Sequence, residues 1–205
     1  MKFRLAKNSD INSLAEIHFN AGKTQPDGFM FKLGVPFLKS YYKLLLNERN
    51  SVILLAEDSD GIVCGFCAGT LSAEEHIVNM NRHKIRLAFS LIPSLIKCPK
   101  LIYEILARNK FVKSKGESSD FSISMGPRFE YWAWEPKNKN PIMAITLLKL
   151  WLKMLFTLGV PSVKAEVDVV NADILRLHKR LGAKVIKELT LLDGRKRVYI
   201  EYSNK

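Results

Sequence analysis

The chain has 205 residues, 47% hydrophobic and 25% charged, a balance that fits one folded domain and excludes a disordered chain. Its formal net charge of +12 favours anionic partners. The longest nearly unbroken apolar run, residues 87–96 between Arg86 and Lys97, falls short of the roughly twenty residues that a membrane-spanning helix needs. Residues 1–10 hold no apolar stretch that would serve as a signal peptide, so a cytoplasmic protein is expected.

Residues 2–6 alternate as a short strand does. Asn8, Ser9 and Asp10 supply helix-capping chemistry, and Ile11, Leu14, Ala15 and His18 follow at helical spacing. A loop rich in Gly, Pro and aromatics covers 21–34. A second helix is expected from near Pro36, with Phe37, Leu38, Tyr41, Tyr42 and Leu45 as its apolar stripe. Strands at 52–57 and 62–71 flank the hairpin turn Asp58-Ser59-Asp60-Gly61. Cys64 and Cys67 form a C-x-x-C, but residues three apart on a strand face opposite ways. They are read as core cysteines, no metal is assigned, and three cysteines give no disulfide framework.

Residues 72–124 carry two amphipathic helical patterns, broken by Pro93 and Pro99, and a polar loop at 113–120. The stretch lacks the strands for a core of its own, so it reads as a helical insertion within one domain spanning 1–205. Between 73 and 115 it has nine Lys or Arg against three Glu, a balance of 9 − 3 = +6, which reads either as a solvated basic face or as a site for an anion. His76 and His83 lie there without metal-ligand spacing. An aromatic strand follows at 129–134, and on a regular strand Arg128, Glu130, Trp132 and Trp134 share one face. A helix is expected over 141–158 with Gly159 as its cap, a strand over 162–169, a helix over 172–181, and strands at 184–192 and 195–202 around Asp193-Gly194. This order predicts an α/β fold with a mixed central sheet flanked by helices, the insertion lying between the third and fourth strands.

From 129 to 202, and more loosely from 2 to 71, the sequence resembles the GNAT N-acetyltransferase superfamily. In that family the fourth strand ends in a V-x-P-like step followed by [Q/R]-x-x-G-x-[G/A], which opens a helix. The corresponding residues are Trp134-Glu135-Pro136 and Lys139-Asn140-Pro141-Ile142-Met143-Ala144. Lys139 stands where Gln or Arg is usual, Ala144 fits, and Ile142 replaces the central glycine. The resemblance implies acetyl-coenzyme A as cosubstrate, with its pyrophosphate on the amides of Lys139, Asn140, Ile142, Met143 and Ala144. The main chain of Trp132, Ala133 and Trp134 would pair with the pantetheine arm.

Residues 167–183, VDVVNADILRLHKRLGA, resemble the family's strand-N-x-x-A-x-x-L-Y-x-K-x-G-F signature. By that likeness Asn171 both bonds the pantetheine arm and caps its helix, and His178 stands where many members carry the tyrosine that protonates the departing thiolate. Glu130 is the candidate base, although counting back from Pro136 puts Arg128 at the family's commonest glutamate position.

The expected activity is direct acetyl transfer to a primary amine on a small-molecule acceptor. The L-G-x-x-F-L-x-x-Y-Y pattern from Leu33 to Tyr42 resembles GNAT members encoded with bacterial surface-polysaccharide enzymes, which implies an amino sugar or a nucleotide-linked, anionic amino sugar. A catalytically silent acyl-coenzyme A-binding protein is the alternative, motivated by Ile142. No motif supports nucleic-acid binding. The oligomeric state is open, a homodimer being one option.

Overall fold

Seven strands form one sheet in the order β1-β2-β3-β4-β5-β7-β6 in the computed structural model, which describes residues 1–25, 28–113 (main chain only from 108), 123–191 and 194–204. The strands are β1 (Lys2–Leu5), β2 (Ser51–Glu57), β3 (Val63–Thr70), β4 (Arg128–Trp134), β5 (Ser162–Asp168), β6 (Lys184–Thr190) and β7 (Lys196–Ser203). All neighbours are antiparallel except β4 and β5. Residues 114–120 of the expected polar loop and the Asp193 half of the last turn lie outside the described residues.

Alternation decides what each strand buries. On β5, Val163, Ala165 and Val167 enter one core, while Lys164, Glu166 and Asp168 point to the other side. On β3, Cys67 enters that same core and Phe66 and Ala68 enter the opposite one. Cys64 and Cys67 are free and buried.

Two helical layers cover the sheet. On one face lie α7 (Pro141–Thr157) and α8 (Ala172–Arg180). Leu147, Leu148, Trp151, Leu152 and Leu155 of α7 pack there against strands from both halves of the sheet. The other face carries α1 (Ile11–Gly22) and α2 (Gly34–Leu46), whose Leu14, Leu38, Tyr42 and Leu45 are fully buried. The helix expected from Pro36 starts two residues earlier, after a 3-10 turn at Met30–Leu33. Asp10 makes no cap on α1. Its carboxylate instead accepts the Lys7 N–H at 2.7 Å and two bonds from Arg4 at 2.7 and 2.8 Å, tying β1 to the first helix.

Between β3 and β4 the described residues form four helices where the sequence suggested two helical patterns: α3 (Ala73–Arg82), α4 (Lys84–Ser90), α5 (Ile92–Lys97) and α6 (Leu101–Lys113). They add Leu87, Leu101, Leu91, Leu95 and Ile105 to the core under α1 and α2, so they are a second storey on that face.

β3 and β4 approach closely where their register shifts. A Cβ at Gly69 would meet Trp151 Cζ2 at 2.5 Å and the Arg128 carbonyl at 2.6 Å. Neither the ring, held through its Nε1 on the Val52 carbonyl at 3.0 Å, nor the strand has room to give. Gly69→Ala is expected to destabilise the protein by about 1–3 kcal/mol, the usual cost of overpacking. Urea unfolding monitored by circular dichroism checks this, and an unchanged midpoint would contradict the packing.

Candidate functional site

β4 and β5 run side by side and part almost at once. Their ladder is a single pair, Arg128 opposite Lys164, supported by the Lys164 N–H on the Pro127 carbonyl at 3.1 Å. Beyond it, no further β4–β5 pair occurs among the described residues. The Glu135 N–H donates to Cys64 of β3 at 2.8 Å. Alternate residues turn their amides to the same neighbour, so Ala133 also faces β3, whereas Trp132 and Trp134 turn N–H and C=O into the gap. Ala133 therefore offers no main-chain group to a ligand there, contrary to the sequence expectation. Crevices at the carboxyl ends of parallel strands are where open α/β sheets bind ligands.

The two walls of the gap differ because β4 carries a bulge. Ala68 pairs with Tyr131 and Gly69 with Phe129, which leaves Glu130 opposite no residue. The regular alternation expected from the sequence is thereby broken. Arg128 and Glu130 lie on the α1/α2 face, with Tyr131 beside them, while Phe129, Trp132 and Trp134 face α7 and α8.

On the α7/α8 wall, the Trp132 Nε1–H is buried without an acceptor among the described residues, a cost unless a ligand supplies one. Trp134 Nε1 donates to the Asn138 carbonyl at 2.8 Å. His178 is 3% exposed, its Nδ1 is 2.6 Å from the Tyr202 hydroxyl, and its ring lies edge-on to Phe129 and Trp132. Burial pulls its pKa down to about 4, so the imidazole is neutral at pH 7 and holds no acidic proton before a reaction begins.

On the α1/α2 wall, Arg128 Nε and the terminal nitrogen both reach Glu130 Oε1 at 2.6 Å. Glu130 Oε1 also lies 4.0 Å from His76 Nε2, whose Nδ1 is 2.9 Å from Glu48. Glu48 accepts further bonds from Asn79 at 2.7 Å and Ser51 at 3.0 Å. From β5 and β7, Glu166 and Asp168 are bridged by Arg197 at 2.7 Å each, and Arg195 adds a bond to Asp168 at 2.9 Å. A surface groove lined by Glu48, Thr70, Glu75, His76 and Asn79 opens onto this cluster. Sequence reading missed His76 and Glu48. Only tertiary packing brings a helix and a turn from elsewhere to Glu130.

The turn from β4 into α7 leaves few free donors. Asn140 Oδ1 takes the Met143 N–H at 3.2 Å, the Ala144 N–H bonds the Asn140 carbonyl at 3.2 Å, and the Asn140 N–H bonds Asn138 at 2.9 Å. The amides of Lys139 and Ile142 remain without an acceptor among the described residues, Pro141 having none to offer. Asn171 precedes α8, but its side chain makes no capping bond. That corrects half of its expected double role and leaves its carboxamide available at the mouth of the gap.

Among the described residues no helix is long and apolar enough to cross a membrane, and no group of three or more His, Cys, Asp or Glu could hold a metal ion.

No protein-family model matches the sequence, and no curated protein does. Solved structures do. A ribosomal-protein-alanine N-acetyltransferase from Brucella melitensis superposes with a TM-score of 0.64 over 100% of both chains at 12% identity. The chain has the fold of the GNAT N-acetyltransferases. A Salmonella typhimurium protein described as an acetyltransferase, solved with its cofactor acetyl-CoA, gives 0.60 over 99% of this chain and 93% of that one at 14% identity. A spermidine N-acetyltransferase variant from Vibrio cholerae gives 0.59 over 99% and 95% at 12% identity.

Two buried histidines give the fold a pH signature. Burial lowers His18 to about 3 and His178 to about 4, against about 6.5 in an unfolded chain. The unfolded state therefore binds more protons through this window, and stability falls as the pH drops from about 6.5 toward 4. Urea unfolding at pH 7, 6, 5 and 4.5 should show it, with a shallower decline for His178→Gln. Equal slopes would mean that His178 is not buried as described.

Proposed function

We propose that the protein transfers an acetyl group from acetyl-CoA to a primary amine in the gap between β4 and β5. The observation that carries this reading is the unpaired edge of β4. The N–H and C=O groups of Trp132 and Trp134 await an extended partner in a fold that N-acetyltransferases share. The residues fit the cosubstrate: an arm lying along that edge would complete the strand and could accept from the Trp132 Nε1–H, which has no acceptor among the described residues. The Asn171 carboxamide would meet the same arm. The Lys139 and Ile142 amides and the Lys139 ammonium would hold the pyrophosphate at the positive end of α7. Further phosphate contacts would have to displace the Asn140 cap from Met143.

Acetyl-CoA supplies an acetyl group activated as a thioester. The amine nitrogen attacks the acetyl carbon, the carbon–sulfur bond breaks, one proton leaves the nitrogen and one reaches the sulfur. Glu130, on the wall opposite His178, takes the amine proton directly or through water, its carboxylate oriented by Arg128. His178, neutral at pH 7, offers the departing sulfur an N–H hydrogen bond. The thiolate's own charge raises the imidazole's affinity for a proton as it develops.

The acceptor is a small amine, and an amino sugar or its nucleotide-linked form is the finer reading from the sequence. Cations that could meet such an anion, Arg128 and Arg197, face the α1/α2 wall, each already bound to carboxylates. A panel of amino sugars, nucleotide-linked amino sugars, polyamines and peptide N-termini, followed by thiol release, decides between them. A second reading, acyl-CoA binding without turnover, draws on Ile142 and the Asn140 cap. It predicts a raised melting temperature with acetyl-CoA but no thiol release with any acceptor.

With an acceptor in hand, Glu130→Gln should lower kcat about a hundredfold or more, the usual share of general-base catalysis, at unchanged acetyl-CoA affinity. His178→Ala should also lower kcat more than it weakens acetyl-CoA binding. The two pH profiles should keep the same shape between 6 and 8, because the buried imidazole titrates far below. An unaltered maximal rate in either variant removes that residue from the reaction.

A further inference from the structure

The helices α4 to α6 each use one stripe on the core and present another to solvent. Leu87 and Leu91, Leu95, and Leu101 with Ile105 pack inward against the cluster under α1 and α2. Outside that cluster stand Ile85 and Phe89 of α4, Ile92 and Ile96 of α5, and Tyr103 and Leu106 of α6, four of them about 67–75% exposed. All three helices rest on the same core, and these six side chains lie outside it. Scattered apolar residues on a surface need no explanation. Exposed pairs at i, i+4 on two helices and at i, i+3 on the next do.

The charges around them narrow what could cover this face. Arg82, Lys84, Arg86, Lys97 and Lys100 are exposed among the apolar residues. The one acidic residue of the described side chains from 82 to 107, Glu104, is paired with Lys32 at 2.9 Å. A second copy of the chain would bring an equally basic surface against this one, a repulsive pairing within a protein of net charge +12. Nucleic acid would meet the cations but gives aliphatic Ile and Leu side chains nothing to pack on. An interface that takes both is a bilayer carrying anionic lipids, where apolar side chains enter the acyl boundary and Lys and Arg stems reach the headgroups.

We propose that the outer face of α4–α6 docks the protein on anionic membrane surfaces. The same helical segment supplies His76 beside Glu130, so docking would hold the α1/α2 wall of the gap at a fixed height above the lipid. This proposal does not rest on the acetyl-transfer reading, and its test needs no activity.

Full-length protein is floated with vesicles of phosphatidylcholine containing 30% phosphatidylglycerol, and with phosphatidylcholine alone. Binding is expected to the first and at least tenfold more weakly to the second, with loss in high salt. Phe89→Ser with Ile96→Ser should weaken it tenfold or more, and each of Lys97→Gln and Lys100→Gln about fivefold. A readout on the unmodified protein comes from Cys98, between α5 and α6, the exposed one of three cysteines. Its alkylation by a water-soluble maleimide should slow when anionic vesicles are added. No vesicle binding overturns the proposal. So does binding that leaves Cys98 alkylation unchanged, or binding indifferent to the apolar substitutions, which would mean adsorption by charge alone. A light-scattering mass of a dimer that Phe89→Ser with Ile96→Ser converts to monomer would assign the face to a second copy instead.

Discussion

Two parallel strands that pair at one point and then part leave main-chain donors and acceptors exposed along both edges, and a folded chain tolerates this only if something else holds the halves together. Here helix α7 does so. Its buried stripe packs against β2, β3 and β4 on one side of the split and against β5 and β7 on the other, within one apolar cluster. Trp151 adds a hydrogen bond from that helix to the Val52 carbonyl of β2. The gap is therefore a feature with rigid walls. Its floor is the Arg128–Lys164 bridge, and its mouth is where the chain enters α7.

The bulge at Glu130 gives the two walls different chemistry. Without it, Arg128 and Glu130 would share a face with both tryptophans. With it, aromatic rings and a neutral histidine line the α7/α8 wall, while carboxylates and guanidiniums gather on the other. Buried charges are tolerated only when compensated. That requirement accounts for the density of pairing on the polar wall, where Arg128 meets Glu130, His76 meets Glu48, and Arg197 bridges Glu166 and Asp168. A nucleophile and a leaving group divided between such walls would find proton acceptors on one side and a desolvated hydrogen-bond donor on the other.

The helices between β3 and β4 serve two surfaces at once. Their inner stripes extend the α1/α2 core and bring His76 to the polar wall, while their outer stripes remain apolar among cations. A purely solvated basic face, one of the two readings of the charge pattern, would not need Ile85, Phe89, Ile92 and Ile96 at spacings that place each pair on one arc.

The strand order, the helices outside the 72–124 segment and the position of the α7 turn were legible in the sequence, because period-2 and period-3.6 apolar patterns and glycine stops are local properties of the chain. The two helical patterns read in that segment became four helices among the described residues. The likeness of 167–183 to a known signature also pointed to Asn171 and His178 as candidate site residues. Three things were decided only in three dimensions. The bulge that turns Glu130 away from Trp132 arises from the match between β3 and β4, and strand periodicity taken alone predicts the opposite face. The failure of Asn171 to cap, and the capture of the Met143 amide by Asn140, depend on how each chain segment enters its helix. The Glu48–His76–Glu130 chain joins a turn, a helix and a strand up to 82 residues apart, and contacts at such separation leave no trace in local pattern because they are fixed by packing, the last level of structure to form.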